Sequence, residues 1–216
     1  MIYGFGYALF ATFTALLSRT ILYFRKNEID YVLNMIKNDG SKILDFGCNT
    51  GWYTKIIKKR NSKCKVYGAD INKFAIKYAS LKYKDVKFFY IDKNFYQNKR
   101  FDIIILSHVL EHVKNPNELI RNIINLLNKK GKLIIVIPQD RIRGDSAIFH
   151  FLFNLICLKF ENPHVIKLKY KDCKNILTKS GLTITDYIYI NYFPPFKTNT
   201  KKFYTWSLVI TATKTN

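Results

Sequence analysis

Three aspartates in the first half of the chain each close a short apolar run. Asp45, Asp70 and Asp92 stand where these runs end, as residues do at the carboxyl ends of buried strands. Because the carboxyl ends of neighbouring parallel strands share one edge of a sheet, the three carboxylates would face a common crevice. In doubly wound folds, a carboxylate at the position of Asp70 binds ribose hydroxyls. These residues therefore predict a crevice for a ligand that carries a ribose.

The loop after the first aspartate allows a ligand to approach the backbone closely. Gly47 and Gly51 tolerate positive φ, and Asn49 is among the few other residues that tolerate the left-handed conformation. A strand that runs into such a turn can bring backbone N–H groups and a helix N-terminus against an anionic or polar ligand. A dinucleotide-binding fingerprint would need a further glycine, where this chain has Trp52.

A second group of candidate residues follows another apolar run, in the segment SHVLEHV that begins at Ser107. His108 and His112 are four residues apart, a spacing that places two side chains on one face of a helix. Imidazole titrates near neutral pH, so either ring could act as a general base toward a hydroxyl. His112 can equally be a packed, hydrogen-bonded helix residue, and His108 can be a substrate contact.

Alternating strands and helices position both groups. Apolar runs predict five strands, near 42–45, 65–71, 86–91, 101–106 and 132–137, with helices between them at 52–59, 72–83 and 115–129. This order is typical of a parallel sheet with right-handed crossovers. A helix at 171–179 and an antiparallel pair at 183–192 and 204–213 follow, the pair joined by a proline-rich loop. We predict an α/β, Rossmann-like, seven-stranded and mostly parallel sheet with helices on both faces and an antiparallel C-terminal hairpin.

Two segments depart from this rhythm. Residues 1–26 begin with an uncharged apolar run, and they predict a helix that either covers the crevice as a lid or associates with a membrane. The basic residues on its C-terminal side would keep the domain on the cytoplasmic face. The second segment, at about 139–170, carries Arg141, Arg143 and several phenylalanines. It predicts an inserted cap that would suit an apolar or anionic substrate.

Composition limits the class of partner. The chain has 216 residues and 48% hydrophobic residues, which suit one globular domain. The formal net charge is +21, but lysines are scattered over every segment, whereas a nucleic-acid groove would cluster arginine with aromatic residues. Nucleic acid is therefore not the favoured partner, and an anionic membrane surface is an alternative. No pair of the four cysteines has C-x-x-C spacing, so we predict no metal site and a reducing, cytoplasmic compartment.

The run KILDFGCNTGW from Lys42 to Trp52 resembles motif I of the class I S-adenosylmethionine-dependent methyltransferases, with Asn49 in place of the middle glycine. SHVLEHVKNP, followed by a helix and NKKGKLIIVIP, is similar to the subgroup that includes ubiquinone-biosynthesis and small-molecule methyltransferases. The resemblance implies a methyltransferase domain at 27–216 with S-adenosyl-L-methionine as cofactor. It also implies a small-molecule, lipid, quinone-precursor or glycan acceptor.

The resemblance implies roles for individual residues. Asp45, Gly47, Asn49 and Gly51 would surround the methionine part of the donor, with the small side chain of Cys48 in the same loop. Asp70 would hold the ribose, Ile71 would pack on adenine, and Asp92 would bond the adenine amino group. Ser107 and His108 would line the crevice near the sulfonium, and His108 and His112 are the candidate catalytic residues.

Three alternatives use the same residues. The spacing H-x-x-E-H, from His108 to His112, is that of inverted zinc peptidases. The segment also resembles a Glu/His segment that binds a divalent metal in small-RNA terminal 2′-O-methyltransferases. By that resemblance His108, Glu111 and His112 would offer ligands, and His150 or His164 of the cap would complete the set. The third alternative is a non-catalytic relative that binds donor weakly or serves as a tethered scaffold.

Overall fold

The computed structural model describes residues 25–97, 99–139, 165–191, 196–202 and 205–214. The predicted apolar helix at 1–26 lies almost entirely outside these residues, as does most of the predicted cap at about 139–170. The helices are α1 (Lys26–Asn34), α2 (Trp52–Arg60), α3 (Lys73–Lys82), α4 (Pro116–Leu126) and α5 (Tyr170–Lys179). The strands are β1 (Lys42–Phe46), β2 (Lys65–Asp70), β3 (Lys87–Tyr90), β4 (Phe101–Ser107), β5 (Leu127–Pro138), β6 (Leu182–Asn191), β7 (Phe196–Thr198) and β8 (Ser207–Lys214).

The strands form one mixed sheet in the order β3-β2-β1-β4-β5-β8-β6-β7. Strands β1 to β5 are parallel, and β8 pairs antiparallel with both β5 and β6. The predicted α/β sheet with an antiparallel C-terminal pair is confirmed. The predicted count of seven strands is one short, because β7 forms inside the stretch that was expected to be a proline-rich loop. It is the outermost strand of the sheet, and its three residues pair with the end of β6.

Both faces of the sheet are covered, as the uninterrupted apolar strands require. Ile104 and Leu106 of β4 pack with the buried sides of α4 and α5, whereas their neighbours Ile103 and Ile105 pack with α1 and α2. The carboxyl ends of β1, β2 and β4 therefore lie between two layers of helices, which hold that edge of the sheet in place.

Two local predictions differ from the structure. Helix α4 ends at Leu126, three residues before the predicted end, because β5 already begins at Leu127. His108 and His112 do not share a helix face, since the segment contains only a short 3-10 turn at Leu110–His112. His108 precedes that turn with a left-handed backbone, φ 55°. None of the helices formed by the described residues has the length and apolar character that a membrane crossing needs.

Candidate active site

The three predicted carboxylates lie on adjacent strands. Asp45 is the penultimate residue of β1, Asp70 is the last residue of β2, and Asp92 follows the end of β3 by two residues. Because β3, β2 and β1 are neighbours and parallel, all three residues lie at the same edge of the sheet. Asp45 is buried and Asp92 is exposed. The structure thus places the predicted donor-binding acids along one edge, at different depths.

Asp70 is fixed by the loop that follows β1. Its Oδ2 accepts a hydrogen bond from the backbone N–H of Asn49 at 2.8 Å, and its Oδ1 accepts one from Asn72 at 2.8 Å. Burial raises the pKa of Asp70, and these backbone donors oppose that rise. The carboxylate therefore holds the loop in place while lying at the carboxyl edge of the sheet.

The loop itself is tight and left-handed. Gly47, Asn49 and Gly51 have φ of 82°, 47° and 78°. The N–H groups of Gly47 and Cys48 both donate to the carbonyl oxygen of Ala69, at 2.7 and 3.0 Å, so the loop folds back onto β2. A Cβ at Gly47 would lie 2.5 Å from Val109 Cγ2, which explains the glycine there. The buried Oδ1 of Asn49 has no hydrogen-bond partner among the described residues and is available to a ligand.

Asp45 lies deeper than Asp70 and is only 2% exposed. Burial raises its pKa to about 7, although the hydroxyl of Thr54 donates to Oδ2 at 2.7 Å, and the nearby charge of Asp70 raises the pKa further. Cys48 is also buried, and burial raises the pKa of its thiol well above the ordinary value. A protonated thiol is a poor nucleophile, so Cys48 serves the loop as a small side chain.

An apolar platform stands beside Asp70. Ile71 and Phe74 are 58% and 57% exposed, although both are large hydrophobic residues. They lie immediately after β2 and in the first turn of α3, whose N-terminus is capped by the Asn72 side chain. A carboxylate next to an exposed apolar surface suits a ligand with hydroxyls on one part and a flat apolar ring on another.

At the end of β4, a cluster of charged and hydroxyl side chains surrounds His108. The carboxylate of Glu28, on α1, is 1% exposed. It accepts hydrogen bonds from Arg25, with Nη2 at 2.7 Å from Oε1, and from the hydroxyl of Ser207. His108 Nε2 lies 3.2 and 3.1 Å from its two oxygens. Arg25 also reaches the hydroxyl of Ser107 at 3.3 Å, so this cluster joins α1, β4 and β8.

These contacts change the chemistry expected of His108. Partial burial lowers its pKa, but the Glu28 carboxylate outweighs burial and raises the pKa to about 9. Burial alone would raise the pKa of Glu28, yet the charges of Arg25 and His108 hold it well below its ordinary value. The ring is therefore an imidazolium at neutral pH. In that state it donates hydrogen bonds and accepts no proton.

Glu111 lies on the other side of the His108 ring. Its carboxylate is 2% exposed, and neither oxygen has a hydrogen-bond partner among the described residues. Oε1 lies 3.5 Å from His108 Nδ1 and 3.9 Å from His112 Nε2, which is close enough for charge attraction but too long for a hydrogen bond. The structure thus brings both predicted histidines to one buried carboxylate.

Glu28, Arg25 and Ser207 were missed from the sequence. One signal could have revealed Glu28, which is four residues before Val32 and therefore on the buried stripe of α1. A carboxylate on the apolar face of a helix needs a partner inside the protein. No signal marked Ser207, because its position depends on the direction of β8.

As to metals, the described residues contain no group of three or more His, Cys, Asp or Glu that could hold an ion.

The sheet order, the left-handed loop after β1 and the acid-ended strands together define the class I methyltransferase fold. The described residues fit S-adenosylmethionine, the cofactor of this class: Asp70 is a fixed acceptor, Ile71 an exposed apolar surface, and Asn49 an unsatisfied buried amide oxygen. A family model described as a methyltransferase domain matches residues 14–187, and the chain belongs to this family. It is an S-adenosylmethionine-dependent methyltransferase.

Individual relatives are distant. A ubiquinone biosynthesis O-methyltransferase from Coxiella burnetii is 24% identical over 181 residues, covering 77% of this chain and 74% of the relative. A TehB-like S-adenosylmethionine-dependent methyltransferase from Corynebacterium glutamicum has a similar fold, with a TM-score of 0.67 at 17% identity over 97% of this chain and 99% of that one. The magnesium protoporphyrin IX methyltransferase of Synechocystis, solved with bound SAH, gives a TM-score of 0.61 at 18% identity, covering 89% and 85%.

Proposed function

We propose that this methyltransferase transfers a methyl group to a small aromatic acceptor of the quinone-precursor kind. Two relatives support this acceptor class. The Coxiella burnetii protein is a ubiquinone biosynthesis O-methyltransferase, and a relative from Thermotoga maritima, 24% identical over 59% of this chain and 56% of its own length, is a demethylmenaquinone methyltransferase. Quinones and their precursors contain a flat ring, which agrees with the phenylalanine-rich composition of the predicted cap.

For the donor, we propose that its three chemical parts meet different residues. Asp70 would accept hydrogen bonds from the ribose hydroxyls, because its two oxygens are already oriented by backbone N–H groups. Ile71 would pack on the adenine ring, and the exposed carboxylate of Asp92 would accept from the adenine amino group. The ammonium of the methionine part would be attracted by Asp45, whose burial strengthens such an interaction.

The remaining loop residues would act through the backbone. Gly47, Cys48 and Gly51 let the chain between β1 and α2 turn within five residues, and Asn49 adds a free amide oxygen. Ser107 and His108, at the end of β4, would line the crevice between donor and acceptor. These residues do not carry out bond chemistry, and their task is to align the two reactants and to exclude water.

Bound S-adenosylmethionine supplies an electrophilic methyl group on a sulfonium. For a hydroxyl acceptor, the proton must leave the oxygen, and a histidine suits that step near neutral pH. His112 is the better of the two candidates, because the pKa of His108 is raised to about 9 and its ring is already protonated at neutral pH. The buried carboxylate of Glu111 faces His112 and would stabilise the imidazolium that forms.

The observation that carries this proposal is the hydrogen bond from the loop backbone to Asp70, with the exposed side chain of Ile71 next to it. Isothermal titration of the full chain with S-adenosylmethionine tests the donor site, and a Kd in the micromolar range is the expected result. Absence of binding at millimolar donor would reject the site. A screen with catechol and quinol acceptors then tests the acceptor class, with lipid, glycan and RNA fractions as the competing classes. Activity on an RNA 3′ end that is lost in chelator would instead favour the metal-dependent alternative.

A further inference from the structure

The contact between Glu28 and His108 is part of a buried cluster that fixes the position of the His108 ring. Glu28 is on α1, outside the strand-and-loop framework that forms the donor site, yet its carboxylate is buried at the end of β4. Burying a carboxylate is unfavourable unless donors surround it. Here Arg25, Ser207 and His108 all contact it, and they come from three separate parts of the chain.

The His108 ring is held from both sides. Nε2 lies within 3.2 Å of both Glu28 oxygens, and Nδ1 faces Glu111 Oε1 at 3.5 Å. A carboxylate near each ring nitrogen favours the form in which both nitrogens carry a proton. The backbone of His108 is left-handed, a conformation that is uncommon for residues other than glycine, and its N–H donates to the carbonyl oxygen of Val136 at 2.9 Å.

We propose that Glu28 is a positioning residue of the methyl-transfer crevice, which holds the His108 ring at the end of β4 as a fixed hydrogen-bond donor. This inference rests on the proposed function only for the location of the crevice. It changes the role of His108 from a base to a donor that contacts the acceptor. The raised pKa of His108 agrees with this role.

The charges around the ring define what such a donor can recognise. Arg25 is positive and Glu28 and Glu111 are negative, so together with the imidazolium the cluster is close to neutral. His112 adds a further titratable ring, next to Glu111. Long-range attraction of anions is therefore weak. The Nε2–H group is used by Glu28, so an acceptor oxygen would be recognised by the Nδ1–H group, which makes no hydrogen bond to Glu111. The geometry suits an acceptor with a hydroxyl, carbonyl or carboxylate oxygen beside the reacting atom.

The ring can be observed directly in the full-length, nitrogen-15-labelled protein. The chain has four histidines, and the variant His108→Gln assigns the signals of His108 by their loss. Long-range proton–nitrogen correlation at pH 7 distinguishes a doubly protonated ring from a neutral tautomer. We expect the wild-type ring to be doubly protonated. We expect Glu28→Gln, which keeps the shape and removes the charge, to give a neutral ring.

Asp30→Asn is the matched control, since it removes a carboxylate from the same helix outside the cluster. It should leave the His108 signals unchanged. A neutral wild-type ring would overturn the proposal without any variant, so the test survives if Glu28→Gln does not fold. A doubly protonated ring in folded Glu28→Gln would also overturn it. Glu28→Asp restores the charge and should recover at least part of the doubly protonated signal.

Kinetic measurements distinguish a positioning role of Glu28 from a purely structural one. With an acceptor found in the screen above, Glu28→Gln should lower kcat about tenfold while the donor Kd stays unchanged. His108→Gln keeps an N–H donor and should lose less than about tenfold, whereas loss of a general base would lower kcat by about a hundredfold or more. A hundredfold loss in His108→Gln would reject the donor role. Failure of donor binding would count against the proposed function alone, because the ring signals do not depend on it.

Discussion

The two halves of the crevice are held together in different ways. On the donor side, Asp70 is fixed by backbone N–H groups of a loop and a turn, and the left-handed residues that shape the loop are close together in sequence. At the end of β4, His108 is fixed by the side chain of Glu28, which lies on a helix 80 positions earlier. Glu28 is in turn held by Ser207, on a strand near the end of the chain. One half depends on backbone conformation, and the other on buried charge. Substitutions should therefore damage them in different ways.

The largest effect should follow the loss of the buried charge. We expect Glu28→Leu to lower the free energy of unfolding by about 3–5 kcal/mol, because it leaves Arg25 and His108 without their carboxylate. Chemical denaturation measures this. Asp85→Leu is the control, because Asp85 pairs with Lys55 at an exposed site and should change stability by less than about 1 kcal/mol. Equal effects of the two substitutions would show that the Glu28 cluster does not hold this half.

Backbone conformation can be tested in the loop. Gly51→Ala should destabilise by about 2–4 kcal/mol, because a Cβ there would lie 2.7 Å from the Phe88 ring and the residue has φ of 78°. Gly40→Ala isolates the backbone strain, since Gly40 has φ of 94° but nothing within 4 Å of its added Cβ. That control should cost about 1–2 kcal/mol. If both variants lose the same stability, the close packing of the loop is not what requires glycine at position 51.

The donor half should respond in affinity as well. We expect Asp70→Asn to weaken the binding of S-adenosylmethionine by roughly tenfold to hundredfold, since charged hydrogen bonds contribute about 1.5–3 kcal/mol. Isothermal titration gives the Kd directly. Asp85→Asn, with the same chemical change on the surface, should bind donor as the wild type does. An unchanged Kd in Asp70→Asn would remove Asp70 from the donor site and leave it as a residue that only orders the loop.

The last effect is a pH dependence specific to the charged half. Because the pKa of His108 is raised from 6.5 to about 9 in the folded protein, its contribution to stability is complete below pH 6.5. It is lost as the pH rises through about 9. We expect the wild type to lose about 3 kcal/mol between pH 6.5 and 9.5. His108→Gln should show a flatter profile over that range, and parallel profiles would contradict the ion pair with Glu28.

The same difference explains what could be predicted from sequence. The glycine-bearing loop and the acids at strand ends are local patterns, so Asp45, Asp70 and Asp92 could be assigned to one edge before any coordinates were known. The residues that hold His108 could not be assigned in this way. Glu28 and Ser207 are 179 positions apart in sequence, and only the folded sheet brings them into contact. The helix predicted for the two histidines was wrong because the segment turns sharply at His108. The residue roles in the donor site stay predictions.

The reversed direction of β8 has a consequence for how the chain could be shortened or extended. Because β8 runs against β5, its first residue, Ser207, pairs with Pro138 at the edge where the parallel strands finish. A chain truncated before Ser207 would lose both the strand that pairs with β5 and the contact of Ser207 with Glu28 on α1. Tags or fusions are better accommodated beyond Lys214, where the strand ends at the opposite side of the sheet from the chemistry.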